Sequence, residues 1–296
     1  MFDLKPNNFY GGQMNQTKTF FLMVVLTIIF VALGSMIGGR DGGMIAFFIA
    51  LVMNFISYWF CDKIVLKMYR AQEVSEAEAP QLHAMVSALA QKASIPMPRV
   101  YIIENDSPNA FATGRSPSKG VVAVTTGIMR ILSREELEGV LAHEISHIKH
   151  RDILIQTVAA TLAGAITMIA NFARFTAFFG GGSNDDEGRG NIFSVIIFSM
   201  LAAFAAMLIQ LAISRSREYM ADDRGAQLSG NPLYLAGALK KLTLGVARSP
   251  MNDANPSTAP LFIVNPFSAK GIITLFSTHP PIEERIKRLE DMAYRR

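Results

Sequence analysis

Charged side chains are absent from four long, apolar stretches of this 296-residue chain. These windows span residues 19–39, 42–61, 153–173 and 190–214. A helix needs roughly 20 mainly apolar residues to cross the hydrocarbon core of a bilayer, and its backbone groups must bond within the helix. The four windows therefore predict four transmembrane helices, paired by short links into two hairpins.

Two other interpretations of the windows were weighed. Buried core helices of a soluble protein suit the second pair better than the first, since that pair carries Gln156, Thr157, Asn171 and Gln210. Polar residues in membrane segments face a bundle interior or a cavity, so these four predict helices that pack against protein and still allow spanning. A cleaved signal peptide does not suit the first window, because a second apolar window follows almost at once.

Basic residues predict the orientation. They cluster after the second window, before the third and after the fourth, whereas the link between the third and fourth windows is rich in glycine and net acidic. The positive-inside rule therefore places both termini and the large polar segments in the cytoplasm of a multi-pass membrane protein, with the lipid bilayer as a partner. The predicted organisation is a cytoplasmic segment 1–18, a hairpin 19–61, a first cytoplasmic part 62–152, a second hairpin 153–214 and a second cytoplasmic part 215–296.

Composition excludes several classes of protein. Only 18% of the residues are charged, and the hydrophobic share is 50%, which argues against a disordered chain. The single cysteine excludes an intramolecular disulfide framework and a cysteine-rich zinc fold. A net charge of +4 is too small to indicate nucleic acid binding, and no nucleic-acid-binding motif is present.

The two polar parts carry the pattern of one α+β domain. The spacing of apolar residues predicts a helix over 77–92, and short β-branched runs predict strands over 99–104 and 120–125. Ser133 and Glu136 form a capping-box pattern that begins a helix reaching His150. Further helices are predicted over 216–228, over 232–246 and from about Pro281 to the C-terminus, with a loop-like stretch over 245–270.

The capped helix carries the chemistry. His143, Glu144 and His147 match the pattern H-E-x-x-H, in which residues i and i+4 share one helical face and both imidazoles can reach one metal ion. Glu144 projects beside them as a candidate general base. The alternative is a charged helix face whose two histidines lie at the protein surface without a ligand.

A catalytic zinc usually takes three protein ligands, and no H-x-x-G-x-x-H continuation supplies the third. Glu218 and Asp222 are a second i, i+4 pair, so one carboxylate can bind the metal while the other accepts the N–H of a ligand histidine. A membrane hairpin returns its two ends to the same face of the bilayer, which predicts that the two motifs meet in space.

The combined pattern resembles a known family. The H-E-x-x-H helix, the Ser214 to Asp222 segment after a hydrophobic hairpin, the run 109–114 and the run 278–281 resemble HtpX-type membrane-bound zinc metalloproteases, a group that also includes the CaaX prenyl endoproteases. The resemblance covers essentially the whole chain. It implies a mainly α membrane protein with a cytoplasmic zincin-type α+β domain and a small sheet.

The resemblance also implies roles for individual residues. His143, His147 and Glu218 would bind one Zn²⁺ per chain, Glu144 would be the general base, and Asp222 would orient a ligand histidine. An edge strand would bind the substrate peptide, and His279 would donate to the oxyanion or make a structural bond at a helix N-terminus. The edge strand comprises Asn109, Ala110, Phe111 and Ala112.

The expected function is zinc-dependent cleavage of misfolded or damaged membrane proteins at their cytoplasmic parts, in quality control and stress response at the bacterial inner membrane. A CaaX-type processing protease is one alternative, although such enzymes carry more spans around a large chamber. A non-catalytic zinc-bearing scaffold is another, and the presence of Glu144 argues against it. A transporter is disfavoured because the four windows hold no ionisable acidic or basic residue.

Overall fold

The computed structural model describes residues 8–179, 214–251, 258, 261–264 and 280–294. Its longest helix, α1 (Asn8–Met68), is interrupted at Gly38 and Gly39. Gly39 has φ of +59°, a left-handed conformation that glycine adopts without steric cost. The interruption folds α1 into a hairpin, and Asn54 in its second half donates to the Met23 carbonyl in its first half at 3.2 Å.

Both halves of α1 are long and apolar enough to cross a membrane. They are Asn15–Met36 and Gly38–Met68, with mean hydropathies of 2.5 and 2.0. The second half continues beyond Cys61, where the predicted window ends, and its residues Val65 and Leu66 are buried against the sheet of the α+β domain. The membrane helix therefore runs directly into the domain.

Helix α5 (Asp152–Phe179) covers the third window. Its apolar part with described side chains, Asp152–Met168, is shorter than a membrane span. Leu154, Val158 and Leu162 of this part are buried against α1, so the first turns of α5 pack against protein. The fourth window lies outside the described residues apart from Ser214, and the described part of the chain holds two candidate membrane helices.

A small mixed sheet forms one layer of the α+β domain. Its strands are β1 (Gln72–Glu73), β2 (Arg99–Ile103), β3 (Ala110–Thr113) and β4 (Val121–Thr125), in the order β1-β2-β4-β3. Strands β2 and β4 are parallel, and the other two pairs are antiparallel. Strand β3 is therefore an edge strand.

Helices pack on the sheet and on one another. They are α2 (Pro80–Ala93), α3 (Thr126–Ile131), α4 (Arg134–Lys149), α6 (Arg215–Ser229), α7 (Pro232–Arg248) and α8 (Ile282–Tyr294). The helices predicted in the two polar parts are observed, with two shifted ends: α2 begins at Pro80 rather than at residue 77, and α7 ends at Arg248, so the first residues of the predicted loop 245–270 are helical. One core joins α2, α4, α7 and one sheet face, and a second joins the other sheet face to the end of α1. Helix α4 lies centrally, so the motif that it carries is buried.

Candidate metal centre and active site

Helix α4 presents three polar side chains in the interior of the domain. The capping box between Ser133 and Glu136 begins α4 as predicted. His143, Glu144 and His147 are all nearly inaccessible to solvent, although polar side chains of this kind are usually exposed. Burying polar atoms costs free energy unless each has a hydrogen-bond partner or a ligand. The neighbours of the three residues therefore indicate their chemical role.

Helix α6 brings Glu218 to the two histidines. The Nε2 atoms of His143 and His147 lie 3.2 Å apart, and Glu218 oxygens lie 3.7 Å from the first and 3.5 Å from the second. Ligands about 2.0–2.1 Å from a tetrahedral zinc lie about 3.3–3.4 Å from each other. The three side chains therefore have the spacing of a metal site, and they could hold one ion.

Glycine 225 permits this close approach of α6 to α4. A Cβ atom at Gly225 would lie 3.0 Å from both the Cα and the backbone nitrogen of His143. Real Cβ atoms rarely approach backbone so closely, because packed interiors leave no such overlap. The missing side chain lets the Glu218 helix lie directly on the His143 turn.

Both histidines direct their other nitrogen at a carboxylate. His143 Nδ1 lies 2.9 Å from Asp222 Oδ1 in a bent contact, and His147 Nδ1 lies 3.2 Å from Asp152 Oδ2. A carboxylate at Nδ1 favours the proton on that nitrogen, so the Nε2 lone pair of each ring points to the shared centre. Two imidazole nitrogens and one carboxylate fit the ligand set of a catalytic zinc, which is the metal the resemblance implies.

Arg285 of α8 binds the Asp222 carboxylate through two hydrogen bonds. Its Nε donates to Asp222 Oδ2 at 2.8 Å, its Nη2 donates to Oδ1 at 2.7 Å, and its Nη1 donates to the Ile263 carbonyl at 3.2 Å. Burial alone would raise the pKa of the Asp222 carboxyl, but the Arg285 guanidinium and His143 outweigh it and lower that pKa. Asp222 therefore remains an ionised acceptor for the His143 ring.

The electrostatics of the centre favour a cation. Burial raises the pKa of Glu144 to about 8, and the nearby Glu218 carboxylate adds to that rise. Burial alone would lower the pKa of His147, but the carboxylates of Glu218 and Asp152 outweigh it and raise it to about 9. The rise in the pKa of Glu144 comes chiefly from burial and the rise in the pKa of His147 from the surrounding carboxylates, whose negative charge a bound metal ion would neutralise.

Strand β3 lies against Glu144. The backbone N–H of Ala112 is directed at the Glu144 carboxylate and opposes the rise of its pKa, so this peptide group of β3 faces the centre. Part of this edge already has a partner, because the Ile263 N–H donates to the Ala110 carbonyl at 3.3 Å. The Asn109 amide donates to the Val264 carbonyl at 3.0 Å, which holds the same segment, 261–264, beside the strand.

Phe111 points away from the centre. Its ring contacts those of Tyr69 and Phe262, with centroids 6.0 and 5.5 Å apart, and it has no exposed surface. Its side chain is a core element, and only its backbone belongs to the edge strand. His279 lies outside the described residues.

Sequence reasoning missed two residues of the centre, Asp152 and Arg285. Asp152 comes five residues after His147, at the boundary of the third window, where it reads as an ordinary flanking charge. Arg285 lies three residues after Ile282 and four before the buried Leu289, so it interrupts an apolar helical stripe. A charged residue on such a stripe indicates a buried ion pair, and this pattern could have identified Arg285 from the sequence.

Comparison with known proteins identifies the family. The sequence model of "Peptidase family M48" matches residues 76–293. The chain belongs to peptidase family M48. It is therefore a metalloprotease, and its two long apolar helices indicate a membrane-bound member.

Relatives in this family match nearly the whole chain. A "Protease HtpX homolog" of Thermodesulfovibrio yellowstonii is 60% identical over 282 residues, 95% of this chain and all of the relative. Another from Pyrococcus furiosus is 58% identical over 276 residues, 93% of this chain and 95% of the relative. The predicted family resemblance is thereby confirmed, and the chain is an HtpX-type M48 protease.

The fold is similar to that of a solved structure. The crystal structure of S. mikatae Ste24p superposes with a TM-score of 0.51 at 17% identity, covering 97% of this chain and 67% of that one. At this identity the likeness concerns the fold alone. The shared fold extends over almost the full length of the present chain.

Proposed function

We propose that this M48 protease is a zinc-dependent endopeptidase that cleaves the cytoplasmic parts of membrane proteins. One observation carries the proposal: two imidazole Nε2 atoms and the Glu218 carboxylate converge within 3.2 to 3.7 Å of each other on buried helices. Glu144 follows the first of these ligands directly and lies against an edge strand.

In this proposal His143, His147 and Glu218 hold one zinc ion per chain. Zinc supplies a Lewis acid that polarises the scissile carbonyl and acidifies water. Glu144 accepts the proton of the attacking water and passes it to the leaving amine. Asp222 keeps the His143 ring in the orientation that presents Nε2.

The substrate would bind as an extended peptide along β3. Successive peptide groups of a strand alternate in direction, and those of Ala110 and Ala112 face Glu144 and segment 261–264. Backbone pairing gives affinity for many sequences, which suits a protease that acts on unfolded segments. The Ile263 N–H already bonded to Ala110 would be exchanged for one of the substrate. His279 is proposed as an oxyanion donor on the family resemblance.

We place the active site and both termini in the cytoplasm, with four spans in a bacterial inner membrane. The positions of the basic residues support this topology. Substrates would then be cytoplasmic loops and tails of misfolded or damaged membrane proteins, and the role would be quality control under stress. No nucleic acid partner is proposed.

The test uses the full chain, purified in detergent and returned to vesicles with a membrane protein that carries an unfolded cytoplasmic loop. Cleavage is measured with zinc, with a chelator and with Glu144→Gln. We expect cleavage that needs zinc and is lost in Glu144→Gln, while that variant still binds one zinc per chain. Glu138→Gln is the matched control, since Glu138 lies on the same helix and pairs with Lys92 at 3.7 Å at the surface.

Other results would favour the alternatives. Cleavage only of a prenylated peptide would indicate a CaaX-type processing protease. Zinc binding without cleavage of any substrate would indicate a scaffold, and unchanged cleavage by Glu144→Gln would contradict the assigned base.

A further inference from the structure

Asn15 is a buried polar residue at the start of the first membrane helix. Only 4% of its surface is exposed, and it lies at the first position of the candidate span Asn15–Met36. It also lies outside the 76–293 region that the family model matches. A buried amide needs hydrogen-bond partners, so its contacts indicate why an asparagine occupies this place.

The Asn15 side chain bonds to both halves of the cytoplasmic domain. Its Nδ2 donates to Asp152 Oδ1 at 2.8 Å and to the His150 carbonyl at 3.4 Å. Its Oδ1 accepts from Arg217 Nη1 at 3.4 Å. In the sequence these partners lie before and after the third and fourth windows: His150 caps the end of α4, Asp152 begins α5, and Arg217 lies in the first turn of α6.

Two of these contacts involve residues that directly adjoin a metal-binding side chain. Asp152 uses its other oxygen, Oδ2, for His147 Nδ1 at 3.2 Å. Arg217 directly precedes Glu218 in α6. The amide therefore restrains the carboxylate that orients one ligand and the helical turn that carries another.

We infer that Asn15 is a positioning residue of the metal centre. The first membrane helix then has two roles: it anchors the protein, and through Asn15 it fixes the orientation of metal-binding side chains. The inference rests on the proposed metal site. By donating to Oδ1, Asn15 leaves Oδ2 as the acceptor for His147 and fixes the rotation of the Asp152 carboxylate. Groups that orient metal ligands in this way typically change metal affinity by 10- to 100-fold when they are replaced.

A nearby residue provides a matched control. Asn54 is also a buried asparagine of α1, with 6% of its surface exposed, and it donates to Met23 O at 3.2 Å and Thr27 Oγ1 at 2.9 Å. Those partners lie within the membrane hairpin. Asn15→Leu and Asn54→Leu are therefore the same near-isosteric change, and only the first removes a bond to the metal centre.

The experiment measures zinc release to a chelator from the full-length variants, together with the visible spectrum after substitution by Co²⁺. We expect Asn15→Leu to release zinc about 10-fold faster and to shift the Co²⁺ bands. Asn54→Leu should retain the zinc release and the spectrum of the parent even where its thermal stability falls. Asn15→Asp, which keeps the shape but replaces the NH2 donor by oxygen, should behave like Asn15→Leu and serves where the leucine variant does not fold.

A double-mutant cycle tests whether Asn15 acts on the metal centre through Asp152. With Asp152→Asn already present, Asn15→Leu should add little to the rate of zinc release, because the two residues act in series. Full additivity would assign the effect of Asn15 to its contact with Arg217 instead, whereas parent-like release and spectra in both Asn15 variants would overturn the inference. A parent that binds no zinc would instead contradict the proposed metal site, so the two failures are distinguishable.

Discussion

The guanidinium of Arg285 and the carboxylate of Asp222 form a bidentate pair in which neither side chain is accessible to solvent. The two hydrogen bonds measure 2.8 and 2.7 Å. Arg285 thereby links the C-terminal helix to the residue that contacts His143. The pair makes the last helix of the chain part of the support of the metal centre.

Replacing Arg285 by methionine should damage both stability and metal binding. Removing one partner of a buried ion pair leaves an uncompensated charge, which costs about 3–5 kcal/mol. The measurements are thermal unfolding and zinc affinity of the detergent-solubilised variant. Arg288→Met is the control, since Arg288 pairs with Asp223 at 3.4 Å on the surface and such pairs contribute about 0–1 kcal/mol. Equal losses in the two variants would contradict the structural role assigned to Arg285.

Two glycine substitutions should change the free energy of unfolding in opposite directions. Gly225→Ala places a Cβ against the backbone of His143, so we expect a loss of about 1–3 kcal/mol and weaker zinc binding. Gly237→Ala meets no backbone but only the Glu136 side chain, with Oε1 at 3.1 Å, and alanine favours a helix interior by about 1 kcal/mol. Denaturation curves and zinc titrations of both variants test the pair. A Gly225→Ala variant as stable as Gly237→Ala would show that α6 does not need this close contact.

Phe111→Ala should destabilise the protein without changing substrate affinity. The ring is fully buried beside Tyr69 and Phe262, and truncation of such a side chain costs about 3–5 kcal/mol. Peptide cleavage is measured at a temperature at which the variant is folded. We expect a KM close to that of the parent. A strongly raised KM with unchanged stability would instead place the ring in the substrate cleft.

Metal removal should lower the thermal stability. The buried carboxylates of Glu144, Glu218 and Asp152 lose their compensating charge when the ion leaves, and an ion that binds only the folded state stabilises it by mass action. Tm should fall on chelation and recover with added zinc. In Glu218→Gln, added zinc should raise Tm much less than it does in the parent. A rise in Tm equal to that of the parent would exclude Glu218 as a ligand.

Local patterns were sufficient for much of the architecture. The charge-free windows predicted the first hairpin because lipid admits only helices with internally bonded backbones. The pattern Ser133 to Glu136 predicted the start of α4, because a capping box depends on contacts within one turn. Strands β2 and β4 were predicted from short apolar runs. The four-residue strand β3 was implied only by the family resemblance, since a run of this length carries little periodicity of its own.

The sequence alone determined that two histidines and a glutamate share one helical surface, and that a second helix carries the carboxylates of Glu218 and Asp222 at i and i+4. Spacing along a helix is a local property, so it can be read from the order of the residues. Only the tertiary structure decided which side chains complete the centre. Asp152, Arg285 and Asn15 reach it through contacts between distant segments, and the distance between Asn15 and Asp152 along the chain is 137 residues. Asn15 and Asp152 carry no local pattern that marks them, and the apolar stripe around Arg285 does not identify its partner, because these roles depend on how separate helices pack.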